Sequence, residues 1–206
     1  MVVRIKAMTK SELRQYVEAY HPFFSNWIAV RGECFLRISG PVAQQVWFEN
    51  LRSGAYRPVT AVSILVAKKA VMLHKFLDIR HREILPREHQ LRFEEVFNAM
   101  RDQFVPSIIS PLNAIEVCQL CEEHAVERVN EAHSLSALNA YLGKFDTARK
   151  WIDILKRLTN DRTDIEDWEK DCVRALNSLE EAIESDKVKV VLDEIRLSEE
   201  SRLLRG

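Results

Sequence analysis

Three textures of apolar and polar positions follow one another along the chain. In the first, Thr9 is followed three residues later by Glu12, the spacing of a reciprocal helix cap, and the pattern predicts a helix running to about Tyr20. His21-Pro22 ends it, because a proline ring disfavours helical geometry in the residue before it. From Asn26 to Ala67, β-branched and aromatic residues alternate with polar ones, punctuated by Gly32, Gly40-Pro41 and Ser53-Gly54. Four strands are expected there. Val42, Gln44, Val46 and Phe48 take one face of the third strand, and Ala43, Gln45, Trp47 and Glu49 take the other. The last strand, Val59 to Val66, is nearly apolar on both faces and belongs in the middle of the sheet or beneath a helix. Connections this short make the sheet an antiparallel meander.

After Lys68-Lys69 the period becomes helical. Val71, Met72, Phe76 and Leu77 suggest a short helix, and Arg87 to Val105 a longer one with Leu91, Phe93, Val96, Phe97, Met100 and Phe104 on a broad stripe. Pro106 and Pro111 bracket a loop, after which Leu112 to Asn130 is expected to be helical. Asp164 to Leu204 is heavily charged, with Trp168, Cys172, Leu176, Leu179 and Ile183 in one stripe that could pair with another helix, including one from a second copy of the chain. The expected fold is α+β: an N-terminal helix and a four-stranded antiparallel sheet, then an all-helical, repeat-like bundle. Residues 1–69 form the strand-rich half and 70–206 the helical half, packed as one compact unit.

Within the helical half, Gly143 separates two helical segments between Ser134 and Leu158, followed by Phe145, Ala148 and Trp151. This order resembles the centre of a tetratricopeptide repeat, and the resemblance implies a helical hairpin that must stack on its neighbours to bury its faces. Leu179 to Leu192 reads as a degenerate second unit without the glycine.

Composition narrows the functional classes. A chain of 206 residues that is 47% hydrophobic can build a sizeable core. Thirty basic and 31 acidic side chains leave a net charge of -1, which offers no global attraction to nucleic acid or anionic lipid. The charge is uneven: residues 1–69 carry a balance of +6, residues 70–142 of -4 and residues 143–206 of -3. Arg4, Lys6 and Lys10 are not followed by an apolar segment, and the longest uncharged run, Gln103 to Ile115, is interrupted by two prolines. A cytoplasmic protein without membrane contact is expected.

Candidate chemistry is sparse. Cys118-Gln-Leu-Cys121 with His124 has the spacing of three zinc ligands, but it is equally one stripe of a buried helix, and no metal is expected. His74, His81 and His89 lie near Asp78, Glu83 and Glu88, yet Arg80, Arg82 and Arg87 crowd the same stretch, which reads as a solvated connection. The chain has no G-x-S-x-G elbow, P-loop, G-x-G-x-x-G or H-E-x-x-H, so neither catalysis nor a cofactor is expected. The strongest constellation joins arginines and aromatics. Trp27, Arg31, Phe35, Arg37 and Trp47 are expected on one mixed face of the sheet, with Tyr56 and Arg57 at the last hairpin, and such residues anchor protein interfaces. Two other classes compete: an enzyme whose site lies where Arg37, Trp47 and His74 meet between sheet and helices, and a nucleic-acid binder using the basic half. Gln45 and Glu49 interrupt the basic field and weigh against the latter.

The stretch Gly40-Pro41-Val42-Ala43-Gln44-Gln45-Val46-Trp47-Phe48-Glu49 ahead of a helical back resembles small bacterial immunity-type proteins. That resemblance implies inhibition by binding, with a protein partner such as a toxin, and assigns no catalytic residue. The expected function is therefore a non-catalytic protein-binding module of the immunity or regulatory kind.

Overall fold

Thr9 caps the first helix reciprocally. Its Oγ1 accepts from the Glu12 amide at 3.2 Å, and the Glu12 carboxylate accepts from the Thr9 amide at 2.6 Å. This cap starts α1 (Lys10–Glu18) in the computed structural model, which describes residues 8–68, 70–78, 83–160 and 162–205. A 3₁₀ turn at His21–Phe24 follows and leads into the sheet.

The sheet is a meander of five antiparallel strands in sequence order: β1 (Ile28–Val30), β2 (Cys34–Ser39), β3 (Val42–Asn50), β4 (Tyr56–Ile64) and β5 (Ala70–Phe76). The fifth strand corrects the expectation of four strands and a short helix from Val71 to Leu77. Met72 pairs with Val62 and Lys75 with Thr60, so three steps along β5 face two along β4. The extra residue lies beside Leu73, whose φ is +52°. A bulge of this kind breaks period-two alternation, which is why the segment imitates a helix in sequence. The boundary expected at 69/70 therefore falls between β4 and β5, inside the sheet.

The inner face of the sheet carries Phe35, Val42, Val46, Phe48, Tyr56, Val62, Ile64 and Met72, and two helical layers cover it. At one end, α1 and α2 (His89–Gln103) contribute Leu13, Val17, Val96 and Met100 to a cluster with Phe35, Val46, Phe48 and Tyr56. At the other end, α3 (Ala114–His124) and α4 (Val129–Tyr141) pack Val117, Cys118, Leu135 and Leu138 against Val42, Val62, Ile64 and Met72. The single helix expected from Leu112 to Asn130 is thus shorter, capped by the Asn113 side chain on the Ile115 amide at 2.9 Å, and it ends before α4 begins.

Gly143, at φ +76°, turns α4 into α5 (Phe145–Thr159), the helical hairpin expected there. The second hairpin joins α6 (Asp167–Glu184) to α7 (Val188–Arg205), and Asp186, at φ +56°, takes the left-handed position that lacks a glycine. From Ala132 to Ala140 every residue of α4 is buried, because α3, α5, α6, α7 and β5 all contact this helix. Among the described residues no helix is long and apolar enough to cross a membrane.

Candidate functional site

The two-residue turn Gly40-Pro41 sets Ser39 opposite Val42, and this fixes which side chains share a face. Cys34 then lies opposite Trp47, and Trp47 opposite Val59, which in turn pairs with Phe76. These residues form the outer face, away from α1 to α4. On it the Trp47 and His74 rings lie 5.4 Å apart, His74 meets Phe76 edge-on at 4.8 Å, and the Arg57 guanidinium sits 4.2 Å above Phe76. Arg57 Nε also donates to Glu49 at 2.7 Å. A ladder of rings and one paired cation thus crosses β3, β4 and β5.

Beside the ladder, the end of α7 comes down on the sheet. Leu203 packs on a small cluster of Val30, Leu36, Ala43 and Leu65. Between helix end and ladder lies a cleft of about 400 Å³, with Cys34, Ala61, Trp47, Val71 and Leu203 as apolar lining and Arg31 and Arg202 among its polar lining. Its polar groups are held: Arg202 pairs with the buried Glu199 at 2.7 Å, Glu33 with Arg14 at 3.2 Å, and Gln45 Nε2 donates to Ser63 Oγ at 2.6 Å. Val71 is 47% exposed at the cleft edge. Burial pushes the Cys34 thiol up to about 12, so this sulfur is a packing group and not a nucleophile at neutral pH.

The five residues expected on one mixed face, and the two expected beside it at the last hairpin, are divided. Trp47 and Arg57 belong to the outer ladder, and Arg31 stands at the rim of the cleft, where Nε and Nη2 donate to the Arg205 carbonyl at 2.9 and 2.6 Å. Phe35 and Arg37 face inward, because the turn pairs them with Val46 and Gln44. Phe35 stacks on Phe24 at 4.3 Å and is buried, and Tyr56 is buried in the same cluster. Arg37 caps the loop that follows α2: it donates to the carbonyls of Ser107, Ile108 and Ser110 and to Gln44 Oε1, while its guanidinium lies 4.7 Å over Trp27. Burial lowers the Arg37 pKa to about 10, which still leaves it cationic at neutral pH. The shared mixed face is corrected accordingly. The junction of Arg37, Trp47 and His74 does not form either, since the sheet separates the first from the other two.

The remaining sequence candidates disperse in the same way. Cys118 and Cys121 face the core from α3, and their thiols are pushed up to about 11 and 12, mainly by burial and further by nearby Glu122. His124 is exposed and its Nδ1 meets the Leu120 carbonyl. Among the described residues no three or more His, Cys, Asp or Glu side chains come together in a group that could hold a metal ion. His74 is on the outer face and His89 is buried at the start of α2, while His81 lies outside the described residues. Sequence reasoning missed Phe76 and Val71 as strand residues of this face, and it missed Leu203 as its cover. The bulge conceals the first two. The third depends on where α7 ends in space, and nothing local encodes that. No family model, curated protein or solved structure matches the chain.

Proposed function

We propose that the chain is a non-catalytic module that binds a folded protein through the outer face of its sheet. The observation that supports this most directly is the cleft between Trp47 and Leu203, an apolar hollow with an exposed valine at its lip and arginines around it. Such a site receives an apolar side chain from a partner while the rim excludes water. The +6 balance of residues 1–69 favours a partner with an acidic surface. In the immunity-type reading that partner is a toxin, blocked by being covered.

The test places a photo-cross-linking residue at position 71 and compares this protein with Trp47→Ser and Leu203→Ser variants that carry the same cross-linker, after circular dichroism has shown that both are folded. A single cross-linked protein, lost in both variants and resistant to nuclease, is the expected result. Capture that survives both substitutions, or that disappears on nuclease treatment, overturns the reading, and the second outcome points to nucleic acid instead.

A further inference from the structure

On the inner side of the sheet, away from the proposed docking face, a buried chain of hydroxyls ends on an imidazole. The Tyr20 and Tyr56 hydroxyls lie 3.1 Å apart, and that of Tyr56 is 2.7 Å from Nδ1 of His89, the first residue of α2. Both tyrosines are fully buried, and burial raises both phenol pKa values, so each oxygen keeps its hydrogen. Donor counting then fixes the direction of the chain. If Nδ1 carried a hydrogen it would donate to Tyr56, Tyr56 would donate to Tyr20, and the Tyr20 hydrogen would be left without an acceptor among the described residues. If Nδ1 is bare, Tyr20 donates to Tyr56 and Tyr56 to His89, and every buried hydrogen is placed. Because a buried orphan donor is costly, the second arrangement holds. Its consequence is a neutral imidazole with its hydrogen on Nε2, and burial also lowers the His89 pKa.

Among the described residues Nε2 has no hydrogen-bond partner, and His89 lines a cleft of about 480 Å³ between α1 and the start of α2, within the size range of small-ligand sites. The Tyr16 and Phe93 rings flank the imidazole at 4.8 and 5.8 Å. Gln15 and Gln90 add amide groups, exposed Arg87 adds a cation, and no carboxylate lines the cleft. A fixed N–H donor, a cation and aromatic walls together match a flat organic anion. We propose that this cleft binds a small aromatic carboxylate, its ring against Tyr16 and Phe93 and its carboxylate shared by His89 Nε2–H and Arg87.

Long-range ¹⁵N NMR on the intact chain, titrated with benzoate, tests both parts. His89 is expected as the Nε2–H tautomer at neutral pH, and benzoate is expected to shift the His89 and Tyr16 signals saturably, whereas neutral benzamide and non-aromatic acetate do not. Arg87→Gln, an exposed substitution, should weaken benzoate about tenfold without changing the tautomer. Tyr56→Phe should mix the two tautomers and weaken benzoate as well. An Nδ1–H tautomer in the unaltered protein overturns the proposal. So does the expected tautomer with no saturable response to benzoate, or a response that Arg87→Gln leaves intact. None of these outcomes touches the outer face, so the protein-binding reading stands or falls separately.

Discussion

The Arg31 guanidinium ends on the main-chain carbonyl of Arg205, joining the turn between β1 and β2 to the last turn of α7. A cation at the carbonyl end of a helix satisfies an orphan acceptor and meets the negative pole of the helix dipole. One wall of the outer cleft stands on this contact. Arg31→Ala is expected to cost about 1–2 kcal/mol and to strip hydrogen-exchange protection from the last turn of α7, with Arg31→Lys intermediate. An unchanged exchange profile would show that Leu203 packing alone holds the helix end.

Arg37 makes a larger contribution, because its hydrogen bonds go to main-chain carbonyls in a half-buried loop. Arg37→Met keeps the stem and removes the donors, and a loss of about 3 kcal/mol in urea unfolding is expected. A loss below about 1 kcal/mol would mean that burial of Ile108 and Leu112 fixes this loop unaided.

His133 sets an acid limit. It is buried on α4 and burial lowers its pKa from 6.5 to about 4. The unfolded chain therefore binds a proton at a higher pH than the folded one, so the stabilising contribution of the neutral ring is complete above 6.5 and is lost as pH falls toward 4. Full loss amounts to about 3 kcal/mol. His133→Leu should flatten the pH dependence of the urea midpoint across that window. If the slope is the same in both proteins, other groups govern acid unfolding.

The two helical hairpins invite a paired experiment. A Cβ at Gly143 would meet no atom within 4 Å, so Gly143→Ala should cost about 1 kcal/mol through its left-handed backbone alone. At Asp186 the backbone is already left-handed with a side chain in place, and Asp186→Gly should raise stability by up to about 1 kcal/mol. Thermal midpoints moving in opposite directions would verify both turns, and a drop in each would deny the one at Asp186.

Much of the architecture was legible wherever a local cap or turn decides it. The Thr9–Glu12 cap, the meander and the α4–α5 turn at Gly143 all follow from short spacings. The division of the candidate site was also within reach, since counting through Gly40-Pro41 as a two-residue turn pairs Phe35 with Val46 and Arg37 with Gln44. Without that parity Phe35 and Arg37, which face inward, read as neighbours of Trp47. β5 was hidden for a different reason: one extra residue near Leu73 shifts the apolar positions out of alternation. The Tyr20–Tyr56–His89 chain and the α7 cover on the outer face join segments far apart in sequence, and no spacing rule reaches that distance.

α4 also bears on the order in which the protein can be built. Segments made before it and segments made after it complete its surroundings, so a nascent chain halted beyond α5 would hold an oily cylinder with α6 and α7 still unmade. Termination between α5 and α7 should therefore yield insoluble product and not a shortened working protein, even though the sheet and its ladder would already be complete.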